Sequence, residues 1–228
     1  NGGAILEVNA APGFRMHIDP AEGIPRNVAE PVIDMLYPPG KPSRIPIIAV
    51  TGTNGKTTTV EMTAVILQAA GIKATACGNV GDTVIDAVDR DDAYEVLVLE
   101  LSSFKLHWAK QAQFQAAAIL NIADDHLDWH GSMAAYAAAK ARIFGAQALM
   151  VLNREDAQVM AMRPEPVRVK LQKPVERAAV LFGGDMPQRP GDFGIEVTHG
   201  MTWLVRALEA DETRRRRKDE AEELHIQR

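Results

Sequence analysis

The fold is decided by residues 47–58, which read IIAVTGTNGKTT. The first four residues form a continuous apolar run, which is expected of a strand buried on both faces of a sheet. A turn with two glycines follows, and a helix is predicted from about Thr57 to Ala70, with Gly71 as its C-terminal cap. Helical spacing in that segment is shown by Met62, Val65, Ile66 and Ala69. The stretch therefore predicts a strand, a glycine-rich turn and a helix in direct succession.

The glycine-rich turn has the chemistry of a phosphate-binding loop. Its glycines, Gly52 and Gly55, let the backbone turn tightly so that successive N–H groups point at an anion, and the helix N-terminus adds positive potential. Lys56 would reach the outer phosphates of a nucleotide, and the Thr57 hydroxyl would ligate Mg²⁺. An ordinary glycine-rich turn before a helix is the alternative. The predicted nucleotide contacts are Gly52, Thr53, Asn54, Gly55, Lys56, Thr57 and Thr58.

Strands and helices alternate along the next hundred residues. Further strands are predicted at residues 72–77, 96–99, 116–122 and 149–152, and helices at 82–88 and 133–144, with a short helix ending at 160. This alternation predicts an α/β fold, a mostly parallel sheet flanked by helices and carrying the P-loop.

The pattern weakens after Pro166. Strands are predicted at residues 178–182 and 202–205, with turns at the glycines between them. The charged run 214–218 predicts a solvated helix with opposite charges one turn apart, and a nucleic-acid patch is the alternative. The chain is expected to end in this charged, helix-like run, and to be a fragment of a longer protein.

The composition excludes several classes of protein. With 46% hydrophobic and 24% charged residues, the chain is neither disordered nor of low complexity. A formal charge of −5 argues against a nucleic-acid partner. The apolar stretches fall short of the ~18 to 20 residues that cross a bilayer, and no signal peptide is evident, so no membrane partner is predicted. The single cysteine, Cys77, excludes an internal disulfide and fits a cytoplasmic location.

Polar residues follow several predicted strands at the edge where the phosphate loop would lie. Glu100 ends a strand in VLELSSF, and Asn79 in GNVG ends another. His126 follows a third strand in LNIADDHLD, and Lys140 lies in the helical segment YAAAK. Open α/β sheets bind ligands at the carboxyl ends of their strands. Each residue alone could be an ordinary surface or capping residue, but together with the loop they predict one site.

The combination resembles the Mur ligases, a family of ATP-dependent enzymes that join an amino acid to a carboxylate. GTNGKTTT is the short loop typical of the family, since Val50 stands where the general P-loop pattern has its first glycine. From about Ile47 to Val205 the chain is similar to the central ATPase domain of these enzymes. The segments LELSSF and DHLDWHGSMAAYAAAK resemble the branch that adds D-glutamate to UDP-N-acetylmuramoyl-L-alanine.

The resemblance implies a role for each polar residue at this edge. Lys56 would bind the β- and γ-phosphates of ATP, and the implied catalytic residues are Lys56, His126 and Lys140. The implied metal ligands are Thr57, Glu100, His126 and Lys140, the last as a carbamate. Carbamylation makes chemical sense because it turns a cation that would repel Mg²⁺ into an anion.

The implied reaction uses ATP and Mg²⁺. A substrate carboxylate takes the γ-phosphate to give an acyl phosphate, and an amine then displaces phosphate. The implied partners are small molecules, namely ATP, a UDP-muramoyl peptide precursor and an amino acid. Asn79 and Ser102 match positions on the substrate side. Lys105 departs from the family, which usually has glutamine there, and adds a positive charge at the same edge.

The start of the chain resembles a different family. Residues 3–17, GAILEVNAAPGFRMH, look like the end of the ATP-grasp module of cyanophycin synthetases, in which Glu7 and Asn9 would supply oxygen ligands to magnesium. We therefore expect an ATP-grasp C-terminal fragment with a linker at 1–45 and a Mur ligase central ATPase domain at 46–228, truncated at its C-terminal end. A cyanophycin synthetase fragment, which extends an Asp/Arg polymer, and a non-catalytic nucleotide-binding chimera are the alternatives. Such a chain is expected to be incomplete as a ligase in isolation.

Overall fold

A computed structural model of the chain describes residues 45–89, 93–109, 113–167, 174–210 and 224–228. All of these residues belong to one compact unit, Ile45–Arg228. The proposed ATP-grasp fragment, apart from Ile45, and the charged run 214–218 lie outside the described residues. The expectations for those two segments therefore stay predictions.

The unit is built on a six-stranded sheet in the order β2-β3-β1-β4-β5-β6. Every pair of neighbouring strands in it is parallel. This arrangement confirms the predicted parallel sheet, and it puts β1 at the centre with β2 at one edge. The strands are β1 (Ile47–Thr51), β2 (Ala74–Gly78), β3 (Val96–Glu100), β4 (Ala116–Ile119), β5 (Leu149–Asn153) and β6 (Ala179–Phe182).

Helices cover both faces of this sheet. They are α1 (Lys56–Ala69), α2 (Val84–Val88), α3 (Ser103–Trp108), α4 (Leu127–His130), α5 (Met133–Ala141) and α6 (Ala157–Met160), with a 3₁₀ turn at Arg142–Phe144 after α5. Alternate strand residues face opposite sides, so Val98 packs with α1 whereas Leu97 and Leu99 belong to the core that holds the other helices. The short helices α3 and α4 were not predicted from the sequence.

Helix α1 packs with a different face from the one its most apolar residues suggest. Val60 and Ala64 are buried against the sheet, and Leu67 is partly buried. The residues noted for their helical spacing lie on the opposite side, where Met62, Val65 and Ile66 are 58%, 59% and 63% exposed; Ala69 is exposed as well. Because apolar residues lie on opposite sides of α1, its sequence predicts the helix but leaves its buried face undetermined.

A second, three-stranded antiparallel sheet follows, formed by β7 (Phe193–Thr198), β8 (Met201–Glu209) and β9 (Leu224–Gln227). Strand β8 is longer than the predicted strand at 202–205, and β7 was not predicted. The prediction that the chain ends in a helix-like run was wrong, because Leu224–Gln227 form strand β9. The β7–β8 turn places His199 at φ 52° and Gly200 at φ 75°, the conformation that a two-residue hairpin turn requires.

Arg154, after β5, ties the second sheet to the first. Its guanidinium donates to the Asp185 carboxylate at 2.7 Å and to the Phe193 carbonyl at 2.6 Å, and it also bonds the Asp185 carbonyl. Gly194 leaves room for this contact, because a Cβ there would lie 2.1 Å from the Asp185 carbonyl oxygen. One buried guanidinium thus fixes the start of β7 against the end of β5.

Cys77 lies in edge strand β2 with its side chain fully buried in the core. Burial raises the pKa of its thiol to about 11, with a further contribution from Asp82. Among the described helices, none combines the length and the apolar character needed to cross a bilayer.

The two valines of α1 give a matched test of which face is buried. Val60→Ala is expected to lower the free energy of unfolding by about 2 kcal/mol because it leaves a cavity against the sheet. Val65→Ala is expected to change it by less than about 0.5 kcal/mol, since that side chain is largely exposed. Urea unfolding of both variants measures the difference, and equal losses would contradict the packing described here.

Candidate nucleotide and metal site

The phosphate loop joins the end of β1 to the start of α1. Gly55 is the N-cap residue of α1 at φ 81°, a left-handed conformation that favours glycine, and no side chain caps the helix. The N–H groups of the first helical turn therefore have no capping acceptor and point out of the helix, as an anion site requires. Lys56 curls back over the loop, and its Nζ donates to the Thr53 carbonyl at 2.8 Å.

The structure brings Thr57 and Glu100 together. Glu100 ends β3, which pairs directly with β1, and it is only 4% exposed. The Thr57 hydroxyl donates to Glu100 Oε2 at 2.8 Å. A hydroxyl and a carboxylate are hard oxygen donors of the kind that Mg²⁺ prefers, so this pair fits the metal that the sequence implies.

Lys140 is a buried cation at the base of the loop. It is 2% exposed, and its Nζ donates to the Gly52 carbonyl at 2.7 Å and to the Thr51 hydroxyl at 3.3 Å. The same nitrogen lies 4.7 Å from the centroid of the Tyr136 ring. Burial, and then the nearby positive charge of Lys56, lower the pKa of Lys140 to about 8, against a smaller opposing effect of Asp125.

His126 is the N-cap residue of α4. Its Nε2 is 3.4 Å from Asp125 Oδ2, and its ring is 4.8 Å from the Phe104 ring. Within the described part of the chain, no three His, Cys, Asp or Glu side chains are grouped so that they could hold a metal ion. A four-residue ligand set that includes His126 therefore stays a prediction.

The residues predicted on the substrate side lie along the same edge. The Asn79 N–H donates to the Glu100 carbonyl at 3.1 Å. Ser102 caps α3 by accepting the Lys105 N–H, and Lys105 Nζ donates to the Gly78 carbonyl at 3.1 Å. Gly78 allows this close packing, since it adopts φ 102° and a Cβ there would lie 2.7 Å from the Glu100 carbonyl oxygen.

An aromatic cluster borders this edge on the side of α3 and α4. The Phe104 ring lies 5.0 Å from Trp129 and 5.7 Å from His130. His130 Nε2 is 3.0 Å from the Ser103 hydroxyl, and burial and neighbouring positive charges lower the pKa of His130. The cluster fixes α4 against α3, and hence the position of the loop that carries His126.

Sequence reasoning missed the residues that hold the loop in place. Asn121 follows β4, and its side chain bonds Thr53 and Asn54. Tyr136, only 1% exposed on α5, places its hydroxyl 3.1 Å from Thr53 Oγ1. The sequence signal for Asn121 was weak, because the predicted strand at 116–122 includes it. The predicted strand at 116–122 ends at Ile119, and Asn121 bonds to the loop rather than to a neighbouring strand.

A parallel sheet whose central strand feeds a Gly-Lys-Thr loop, with a buried carboxylate beside the threonine, defines an α/β domain with a P-loop. The Mur ligase middle domain family matches residues 50–192. Because this match covers more than half of the chain, the chain belongs to the Mur ligase family. The match begins inside β1, so the predicted ATP-grasp fragment at 1–45 receives no support from it.

Several curated proteins named UDP-N-acetylmuramoylalanine–D-glutamate ligase are similar to this chain. The one from Albidiferax ferrireducens is 58% identical over 80% of the chain, and the one from Polaromonas sp. is 53% identical over 80%. The one from Burkholderia vietnamiensis is 46% identical over 77% of the chain. The chain spans 37%, 32% and 36% of the lengths of these relatives.

A solved structure supports the fold. The structure of UDP-N-acetylmuramoyl-L-alanyl-D-glutamate–2,6-diaminopimelate ligase matches with a TM-score of 0.55 at 22% identity, covering 78% of this chain and 42% of that one. The likeness concerns the fold alone, and it agrees with the six-stranded parallel sheet.

Charges near Lys140 are expected to move its pKa in opposite directions. Lys56→Met should raise the pKa because a like charge is lost, whereas Asp125→Asn should lower it because an opposite charge is lost. The pH titration of the lysine Cε signals by carbon NMR measures both shifts, and Lys140→Met identifies the signal. A Lys140 that titrates at its ordinary value in every variant would contradict the burial described here.

Proposed function

We propose that this chain is the nucleotide-binding module of a cytoplasmic, ATP-dependent ligase that adds D-glutamate to UDP-N-acetylmuramoyl-L-alanine in peptidoglycan precursor synthesis. One observation carries the proposal: the phosphate loop lies beside the buried Glu100, whose carboxylate accepts the Thr57 hydroxyl. The identity of 58% to a relative named for this reaction supports the choice of substrate. Within such a ligase, this chain would supply the nucleotide site.

The loop is suited to the phosphates of ATP. N–H groups of the first turn of α1 would donate to the phosphate oxygens, and Lys56 would exchange its bond to Thr53 for one to the outer phosphates. Thr57 and Glu100 would hold Mg²⁺, which when bound neutralises charge on the phosphates. The chain contributes position and electrostatics to this reaction and no covalent nucleophile.

The reaction consists of two displacements. A carboxylate oxygen of the substrate attacks the γ-phosphorus of ATP, the bond to the β-phosphate oxygen breaks, and an acyl phosphate and ADP result. The amine of the incoming amino acid then attacks the acyl carbon, phosphate leaves, and the nitrogen loses a proton. Asn79 and Ser102 would face the acceptor substrate, and His126 would assist at the metal. Lys105 would add a positive charge close to Asn79.

Lys140 is suited to carbamylation. A lysine reacts with CO₂ through its neutral amine, and a pKa of about 8 makes that form far more common near neutral pH than it is in an ordinary lysine. The carbamate would replace a buried cation at the loop by an anion that can approach Mg²⁺.

Two alternative functions of the chain have less support. The comparisons do not support a cyanophycin synthetase fragment, because the relatives described above share 46% to 58% identity with the chain and are named for the D-glutamate reaction. A non-catalytic nucleotide-binding chimera likewise gains no support from them. Residues 1–45 as an ATP-grasp fragment stay a prediction.

Binding of Mg·ATP to the chain tests the proposal by calorimetry. Lys56→Ala is expected to weaken binding about 30-fold, because a charge-assisted hydrogen bond to phosphate is lost. Lys73→Ala is the matched control. Lys73 lies at the amino end of β2, whereas the phosphate loop lies at the carboxyl ends of the strands, so its loss should leave the affinity for Mg·ATP within about twofold. Absence of Mg·ATP binding, or equal losses in the two variants, would contradict the proposal.

Carbamylation has its own measurement. With ¹³C-labelled bicarbonate, the chain is expected to show a carbamate carbon signal that strengthens from about pH 7 to pH 8 as Lys140 loses its proton. Lys140→Gln removes the amine while keeping a polar side chain, so its spectrum should lack that signal. Identical spectra of the two proteins would refute carbamylation at this position.

A further inference from the structure

Asn121 meets the phosphate loop with every polar atom of its side chain. Its Oδ1 accepts the Thr53 N–H at 3.0 Å and the Asn54 N–H at 2.8 Å. Its Nδ2 donates to the Asn54 carbonyl at 3.1 Å, and its own carbonyl also accepts the Thr53 N–H at 3.0 Å. A single side chain thus satisfies both backbone N–H groups at the tip of the loop.

The backbone on either side of Asn121 is anchored. The Leu120 N–H donates to the Thr51 carbonyl at 3.0 Å, which continues the pairing of β4 with β1. The Ile122 N–H donates to Asp156 Oδ2 at 2.7 Å. The amide of Asn121 is therefore presented to the loop from a fixed position rather than from a free connection.

Thr53 is bound from its other side as well. Its hydroxyl accepts the Ala123 N–H at 2.9 Å and lies 3.1 Å from the Tyr136 hydroxyl. Its carbonyl accepts Lys56 Nζ. The N–H, carbonyl and hydroxyl of Thr53 are all engaged within the protein, which assigns this residue to holding the loop.

We propose that Asn121 is a positioning residue that holds the phosphate loop in its anion-binding shape. By turning the N–H groups of Thr53 and Asn54 toward itself, it directs the next N–H groups, at residues 55–58, to the phosphate. The proposal rests on the nucleotide binding proposed above. Asparagine suits the position because a single amide supplies an acceptor for two N–H groups and a donor for a carbonyl.

Amide hydrogen exchange of the free chain, followed by NMR, tests the positioning role directly. In Asn121→Ala the Asn54 amide is expected to exchange at least about tenfold faster, because its acceptor is gone, while the amides of β3 keep their rates. The Thr53 amide is expected to change less, because the backbone carbonyl of residue 121 still accepts its N–H. Affinity for Mg·ATP in the same variant is expected to fall about tenfold, since the loop must then be ordered on binding.

Two further variants separate positioning from general stability. Asn153→Ala is the matched control: Asn153 Nδ2 donates to the Leu120 carbonyl at 3.0 Å, one residue from Asn121, but makes no bond to the loop. It should leave both loop amides and the affinity unchanged. Asn121→Asp keeps a side-chain acceptor and should restore slow exchange at Asn54.

The outcomes distinguish this inference from the proposed function. Equal exchange rates and affinities in the Asn121→Ala and Asn153→Ala variants would overturn the positioning role, even if the unaltered chain binds Mg·ATP. Fast exchange at the Asn54 amide in the Asn121→Asp variant would overturn it as well. A chain that binds no Mg·ATP would overturn the proposed function, and amide exchange would then decide the role of Asn121 alone.

Discussion

The site depends on a cation that the fold has taken out of water. Lys140 is almost fully buried and meets the carbonyl of Gly52, the hydroxyl of Thr51 and the face of Tyr136. Among the described residues no carboxylate forms a hydrogen bond with it. The desolvation cost of its charged form is therefore offset by little Coulombic attraction. Because its pKa is lowered, the unfolded chain binds more protons between about pH 8 and 10.5, and the free energy of unfolding rises with pH across that window. The protonated Lys140 therefore lowers the free energy of unfolding, which indicates a functional rather than a stabilising role.

The segments that follow β3 and β4 and the helix α5 all meet the phosphate loop, and the order of the strands explains why. Strand β1 lies between β3 and β4, so the loop after β1 is flanked by Glu100 on one side and by Asn121 on the other. Helix α5 then brings Lys140 beneath the loop. A change in the order of these three strands would separate the carboxylate, the amide and the lysine, although each would keep its place in the sequence.

Much of this arrangement could be predicted from the sequence. The apolar run before GTNGKTT and the alternation of strands and helices predict the sheet, and polar residues after its strands predict the edge that carries Glu100. The buried face of α1 could not be predicted, because Val60 and Val65 are equally apolar and only the sheet distinguishes them. Asn121 gave only a weak signal, since its partners are backbone groups and backbone groups leave no pattern in a sequence. Strand β9 was missed because its pairing with β8 joins segments that a charged run separates.

The buried thiol of Cys77 can report on the opening of strand β2. It is the single cysteine in the sequence, its side chain is fully buried, and its pKa is raised to about 11, so thiol reagents should meet almost no reactive thiolate while β2 stays in the sheet. Labelling then requires β2 to detach. The rate of alkylation of the Cys77 sulfur would therefore measure how often β2 detaches from the sheet, with no added probe. Since Asn79 directly follows β2, the same alkylation rate would also measure how often the substrate side of the site opens.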